Sequence, residues 1–248
     1  MSSISSKWQA PALLNVHVCA LRSFCAWLMT QGLIASNPAV HLKVHTESTS
    51  SYLVPLTRYQ VQALLQRAKR GRQATRDYAL VTFLVETGEK RGKCVALKLG
   101  DIHLSEYEDW GMVHHQTHDT TRRIPLDEST RRALIHYLAT QWHVAPQIDT
   151  IVSTLASYPA SEPLWQSRPG EALKSRTVMH IVKRLAETCA PSGCVPRDTS
   201  PSTLRVTFAH NYLMTHPNDI VGLAQALGHS NLATTLQYVQ DLEEEEAA

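Results

Sequence analysis

From Ala12 to Leu33 the apolar residues Leu13, Leu14, Val18, Leu21, Phe24, Cys25 and Leu28 recur at helical spacing, and Gly32 with Asn37-Pro38 supplies a stop. The spacing predicts one amphipathic helix. A polar stretch rich in Ser and Thr, Val44 to Tyr52, then breaks the pattern and reads as a linker. Thr57 is a plausible N-cap before Val61, Leu64, Leu65 and Ala68, and a further helix from Thr75 runs through Leu80, Phe83 and Leu84 to a break near Gly88. Another short helix carries Val95, Ala96 and Leu97. Between Gly111 and Leu126, Met112-Val113 and Ile124-Pro125-Leu126 flank a polar THDTTRR, which predicts a β-hairpin or small sheet. Helices return at Ser129 to Trp142, Lys174 to Cys189, Thr203 to Thr215, and from Ile220 onward. The fold class expected is mainly α with a small β-sheet or hairpin, an α+β chain.

The composition is that of a packed protein: 248 residues, 43% hydrophobic and 19% charged. Disordered and fibrous classes are excluded. With 24 Lys plus Arg against 22 Asp plus Glu, the net charge of +2 by itself says little about a nucleic-acid partner. No run approaches the roughly 18 apolar residues of a membrane span, and Met1 to Pro11 has no secretory pattern, so no membrane partner and a cytoplasmic location are expected. Five cysteines, an odd number, read as reduced thiols. Thirteen histidines include no HExxH and no paired-ligand spacing, and Cys189 with Cys194 is the nearest approach to a metal motif. Neither a metal nor a cofactor is expected. The acidic run Glu243 to Glu246 reads as a solvated end.

The most informative stretch is Ser200 to Tyr238, with SPSTLRVTFAHNYL followed by ALGHSNLATTLQYV. It resembles the C-terminal signature of the tyrosine recombinase (phage integrase) family: a His-x-x-Arg box, then LGH, then a tyrosine nine residues after that His. Arg205, His229 and Tyr238 occupy those positions. Ala20 to Lys43 looks like the end of the family's core-binding domain, and PLTRYQVQALL, Pro55 to Leu65, like the start of its catalytic domain. TGEKRGKCVALKLGDI, Thr87 to Ile102, resembles the first catalytic box, and RRIPL, Arg122 to Leu126, the closing strand of the catalytic hairpin. The resemblance implies a partial, truncated helical core-binding domain over 1–44, a linker over 45–53 and a catalytic domain over 54–248.

In such a family a tyrosine hydroxyl attacks a DNA phosphodiester, giving a 3′-phosphotyrosine and a free 5′-hydroxyl that later rejoins a strand. The resemblance therefore implies Tyr238 as nucleophile, Arg205 as a catalytic arginine gripping two phosphate oxygens, and His229 as a hydrogen-bond donor to the same phosphate. Taken singly, a Tyr near a helix end is ordinarily a packing residue, and a lone Arg or His a surface group. The context of the motifs is what lifts them. Four positions depart from the pattern. Lys90 stands where the family has its first arginine, keeping the charge but losing the bidentate fork. Lys93 replaces a supporting acid, Ser202 replaces the histidine of His-x-x-Arg, and Thr117 to Thr120 hold no lysine to protonate the leaving oxygen. His118 is the available substitute there. With Glu86 and Glu89 each four residues before a lysine, Lys90 and Lys93 read as part of a solvent-facing helix.

The leading expectation is a site-specific recombinase of a mobile element, acting in DNA integration or recombination and impaired by these changes. A DNA-binding relative without cleavage is the alternative, and a helical protein–protein module is a third reading resting on the low net charge. The partner is double-stranded DNA, contacted through its backbone by Arg67, Lys69, Arg70, Arg72, Arg76, Arg122, Arg123, Lys174 and Arg176. Family members assemble as tetramers on DNA, which implies a homo-oligomer here.

Overall fold

The computed structural model describes residues 11–42, 53–105, 108–114, 121–190, 194–237 and 239. The chain divides into two compact units, Met1–Ser51 and Tyr52–Ala248. Apart from residue 53, the linker expected at 45–53 lies outside the described residues.

In the first unit, α1 spans Pro11–Thr30 and the chain turns at Gly32 with φ 69°. Arg22 closes the turn. Its guanidinium donates to the carbonyls of Ala39 (3.2 Å) and Val40 (3.0 Å), while Asn37 returns a hydrogen bond to the Arg22 carbonyl. Val18 and Cys25 are buried, but Leu21 and Phe24, expected on the same covered face, are exposed beside Trp27. The helical spacing is as expected; the apolar face is covered along only part of its width.

The second unit is built on α2 (Arg58–Ala68), α3 (Ala74–Thr87), α5 (Glu128–Trp142) and α7 (Ser175–Cys189). Thr57 caps α2 in a reciprocal box with Gln60, and the Asp127 carboxylate caps α5. Helix α3 is apolar around most of its circumference, and packing of α2, α5 and α8 (Pro201–Thr215) against it buries ten of its fourteen residues. Trp165 anchors this core, edge-on to Phe83 and stacked on Tyr137, whose hydroxyl donates to the Leu164 carbonyl. The stacked, buried rings and the satisfied Tyr137 hydroxyl make a rigid platform.

Short elements complete the unit: α4 (Arg91–Ala96), α6 (Ile148–Ser157), α9 (Ile220–Leu227), and a three-stranded antiparallel sheet of β1 (Ile102–His103), β2 (Trp110–His114) and β3 (Thr121–Pro125) in that order. A small hairpin, β4 (Gln166–Arg168) with β5 (Glu171–Ala172), lies apart. Strands β2 and β3 form the expected hairpin, with Gly111 opposite Ile124 and Val113 opposite Arg122. Directly opposed residues share a face, so Arg122 points inward with Val113 and Ile124, and Arg123 points outward. The helix expected from Ile220 onward is interrupted at Gly228, where the backbone turns left-handed (φ 65°), and helical structure resumes over 232–237.

Candidate active site

The site is assembled from two left-handed turns. Helix α3 ends at Gly88 (φ 60°), where a Cβ would lie 2.4 Å from a ring carbon of Phe208 on α8; only glycine lets α8 approach this turn so closely. The approach brings Arg205, one turn before Phe208, to the Gly88 carbonyl, to which its Nη1 donates at 2.6 Å. The second turn, at Gly228, swings the Leu227 carbonyl toward the same guanidinium, and Nη2 donates to it at 2.9 Å. Arg205 is 7% exposed. A buried arginine held by two main-chain carbonyls is fixed in place and charged.

His229 follows the second turn directly. Its Nε2 lies 2.9 Å from Arg205 Nη2 and its Nδ1 2.8 Å from the hydroxyl of buried Thr235. Because a guanidinium can only donate, Nε2 accepts and the ring proton sits on Nδ1, donating to Thr235. Burial, reinforced by the cations Arg205 and Lys90, lowers the His229 pKa from its ordinary 6.5 to about 4. The imidazole is neutral at pH 7.

An open groove is lined by Lys90, Arg91, Lys93, Ser175, Ser202 and Arg205, with no acidic side chain among the described residues that line it. Ser202 and Arg205, three residues apart on α8, share one helix face, which is how the x-x spacing of the box becomes proximity. Lys90 is exposed at the N-cap of α4. Lys93 donates from its amine to the His114 carbonyl, tying α4 to the hairpin. Four cations and two hydroxyls with no lining carboxylate among the described residues suit a phosphate.

The solvent-facing helix expected to pair Glu86 with Lys90 and Glu89 with Lys93 is not what forms. Gly88 ends α3 before α4 begins, so Glu86 and Lys90 lie on separate elements. Glu89 is 3% exposed, accepts the Lys90 backbone N–H at 2.8 Å and forms an ion pair with Arg122 at 2.5 Å.

The nine basic residues expected on DNA fall into distinct settings. Arg76 is buried in an ion pair with Asp77 (2.7 Å), a carboxylate that also binds Arg184; its charge is spent inside the fold. Arg122 is likewise directed inward. Arg123 lies over the Trp110 ring on the outer face, and Lys69 lies over Tyr78. Arg67 donates to the Arg70 carbonyl, while Arg70, Arg72, Lys174 and Arg176 are exposed, the last two flanking Ser175 at the groove. Tyr238, His118 and Thr117 lie outside the described residues. Glu89 as a buried anion, Thr235 as the partner of His229 and the two carbonyls that hold Arg205 escaped the sequence reading. Only for Glu89 was there a signal, its position directly after a helix-ending glycine.

Among the described residues no helix is long and apolar enough to cross a membrane, and no group of three or more His, Cys, Asp or Glu could hold a metal ion.

Comparison with known proteins supplies the context. The sequence profile of the phage integrase family matches residues 55–245. The chain is 27% identical over 226 residues to the tyrosine recombinase XerC of Yersinia pestis, covering 91% of this chain and 67% of that one. It is also 27% identical over 224 residues to the tyrosine recombinase XerD of Halalkalibacterium halodurans, covering 89% and 68%. Among solved structures, it resembles the XerH site-specific recombinase in a post-cleavage complex with a palindromic difH substrate (TM-score 0.71, 19% identity, 99% of this chain and 69% of that one). It also resembles the Tn1549 transposon integrase in complex with circular intermediate DNA (TM-score 0.67, 19% identity, 98% and 80%). At these identities the structural likeness speaks to the fold.

Proposed function

The chain belongs to the phage integrase family, and on that footing we propose that it is a site-specific tyrosine recombinase that breaks and rejoins double-stranded DNA through Tyr238. The observation that carries this reading is the pairing of buried Arg205, which lines the basic groove, with half-buried His229, both set by the backbone turns at Gly88 and Gly228. The Tyr238 hydroxyl releases its proton to solvent as its oxygen attacks the scissile phosphorus, the bond to the 5′ oxygen breaks, and the leaving oxygen takes a proton, for which His118 is the proposed donor. The 5′-hydroxyl of a strand then attacks the phosphotyrosine and returns the proton to the tyrosine. The phosphoester energy is stored in the protein–DNA link, so the reaction calls for no cofactor.

Arg205 supplies the paired donors for the pentacoordinate phosphate, and Lys90 and the Ser202 hydroxyl supply single ones. His229 has to change roles. While its Nε2 accepts from Arg205 it cannot donate to a phosphate; an entering dianionic transition state draws the Arg205 donor away and offsets the cations that depress the ring, so Nε2 can carry a proton and donate. Lys69, Arg70, Arg72, Arg123, Lys174 and Arg176 are proposed to meet the DNA backbone, with the active assembly a tetramer on two duplexes.

The test is covalent trapping. Purified protein is incubated with supercoiled plasmid carrying the flanking genomic DNA, quenched with detergent and assayed for protein-linked DNA beside a Tyr238→Phe control. A tyrosine-dependent adduct is expected. A second reading, DNA binding without cleavage, draws on Lys90 standing at the N-cap of α4 and on Lys93 being engaged by the His114 carbonyl. Salt-sensitive DNA binding with no adduct would establish that reading instead.

A further inference from the structure

We infer that the buried Glu89–Arg122 ion pair is a positioning device: it locks together the three segments that carry Lys90, the catalytic hairpin and His229, and its loss misaligns the site without removing any group that touches DNA. The inference rests on the recombinase reading for its catalytic readout, but its geometric content stands apart from that reading.

The connections all pass through two side chains. Glu89 Oε1 accepts the backbone N–H of Lys90, fixing the start of α4. Glu89 Oε2 takes Arg122 Nη2 at 2.5 Å, joining that loop to β3. Arg122 Nη1 donates to the Ala226 carbonyl at 2.7 Å in the last turn of α9. Gly228 lies directly on the guanidinium, where an added Cβ would be 3.1 Å from Arg122 Nε, and Nε itself has no hydrogen-bond partner among the described residues. His229 is the next residue. Both Nη groups are engaged inside the fold, and the side chain, 18% exposed, lines an open pocket with Arg123, Gly228 and His229. Its inward direction follows from the pleat, since it shares a face with Val113 and Ile124. The neighbouring Arg123, on the opposite face over Trp110, is the one placed for a DNA phosphate.

A carboxylate and a guanidinium at these exposures are taken out of water together, so removing one charge leaves the other uncompensated. The pair therefore behaves as a unit, and displacements of about 1 Å in the reacting groups cost about 10²-fold in rate.

The experiment compares wild type, E89Q, R122Q, R122K and the E89Q/R122Q double variant in the full chain. Folding is checked by urea unfolding. The first readout is the ¹⁵N signal of the His229 ring across pH, which needs no DNA; the second is the rate of adduct formation on the flanking-DNA plasmid; the third is DNA affinity against salt. The expected result is a His229 midpoint that rises from about 4 toward 6.5 in E89Q and R122Q, as the ring parts from Arg205 and Lys90, and that stays lower in R122K. Adduct formation falls about 10²-fold in either single variant, falls no further in the double variant, and DNA affinity changes less than about 3-fold. The inference is overturned if folded E89Q and R122Q keep the wild-type His229 midpoint, or if the two losses add. It is equally overturned if R122Q weakens DNA binding with a salt slope smaller by about one, which would make Arg122 a phosphate contact. Should wild type form no adduct, the recombinase reading fails alone, and the His229 midpoints still decide the inference. If the single variants do not fold, R122K and the double variant carry the comparison.

Discussion

The second unit contains two apolar clusters that are held together differently. One, around Trp165 and Phe83, is a broad core drawn from α2, α3, α5 and α7. The other, Val206, Ala209, Leu223 and Leu227 between α8 and α9, is small and sits beneath Arg205 and His229. The first gains its stability from buried area. The second has little area to bury, and its alignment with the rest depends on charged donors reaching main-chain carbonyls: Arg205 to Gly88 and Leu227, and Arg122 to Ala226. Area tolerates small displacements, whereas a hydrogen bond to a fixed carbonyl is directional. A site built that way is precise at the cost of depending on a few atoms.

That contrast can be broken from either side. Trp165→Ala empties the broad core and should lower the unfolding free energy by about 4 kcal/mol, read by urea denaturation. The variant that remains folded should keep the His229 midpoint of wild type, because none of the hydrogen bonds that hold Arg205 and His229 involves Trp165. Gly88→Ala should cost about 2 kcal/mol, from a left-handed backbone and the overlap with Phe208. Unlike the first change it should also reduce adduct formation, by about 10²-fold, as Arg205 loses its seat. Asp127→Ala removes the cap of α5 and should cost about 1 kcal/mol with adduct formation unchanged. Agreement between the loss of stability and the loss of activity across all three would dissolve the distinction.

The smallest effect sharpens it. The unfolded chain binds a proton on His229 below about 6.5, while the folded chain does so only below about 4. Across that window the unfolded state holds more protons, so the contribution of His229 to stability rises as pH rises from about 4 to about 6.5 and is lost on acidification. Lys90→Met removes one of the depressing charges and should move the midpoint upward by a fraction of a pH unit in an NMR titration.

Much of this was legible beforehand where the signals were local. Thr57 as a cap, the break at Gly88, the hairpin around Ile124 and the family motif all follow from short-range spacing. What escaped depended on pairing across the chain. Arg122 and Arg123 are indistinguishable as basic residues, and only the alternation inward of Val113, Arg122 and Ile124 separates an internal tie from an outward cation. A helical pattern carried through Gly88 places Glu89 on a helix surface; the left-handed turn there points it into the interior instead. Arg76 falls in a basic cluster by sequence, yet α3 is enclosed on most sides, and buried Asp77 pairs with it while also taking the exposed Arg184. Helix α6 and the β4–β5 hairpin are short elements whose patterns did not stand out.

The turn at Gly228 bears on how quickly the site can be occupied. Arg205 already donates to two carbonyls and one ring nitrogen before any phosphate arrives. Only the last of these has to be surrendered to an incoming oxygen, since the two carbonyls lie on the backbone side. Under the proposed reaction, admission is an exchange of one neutral acceptor for a charged one, with the two carbonyl bonds of the guanidinium kept. A site of this kind has its reorganisation done at folding, and what remains at the moment of encounter is the movement of a single imidazole.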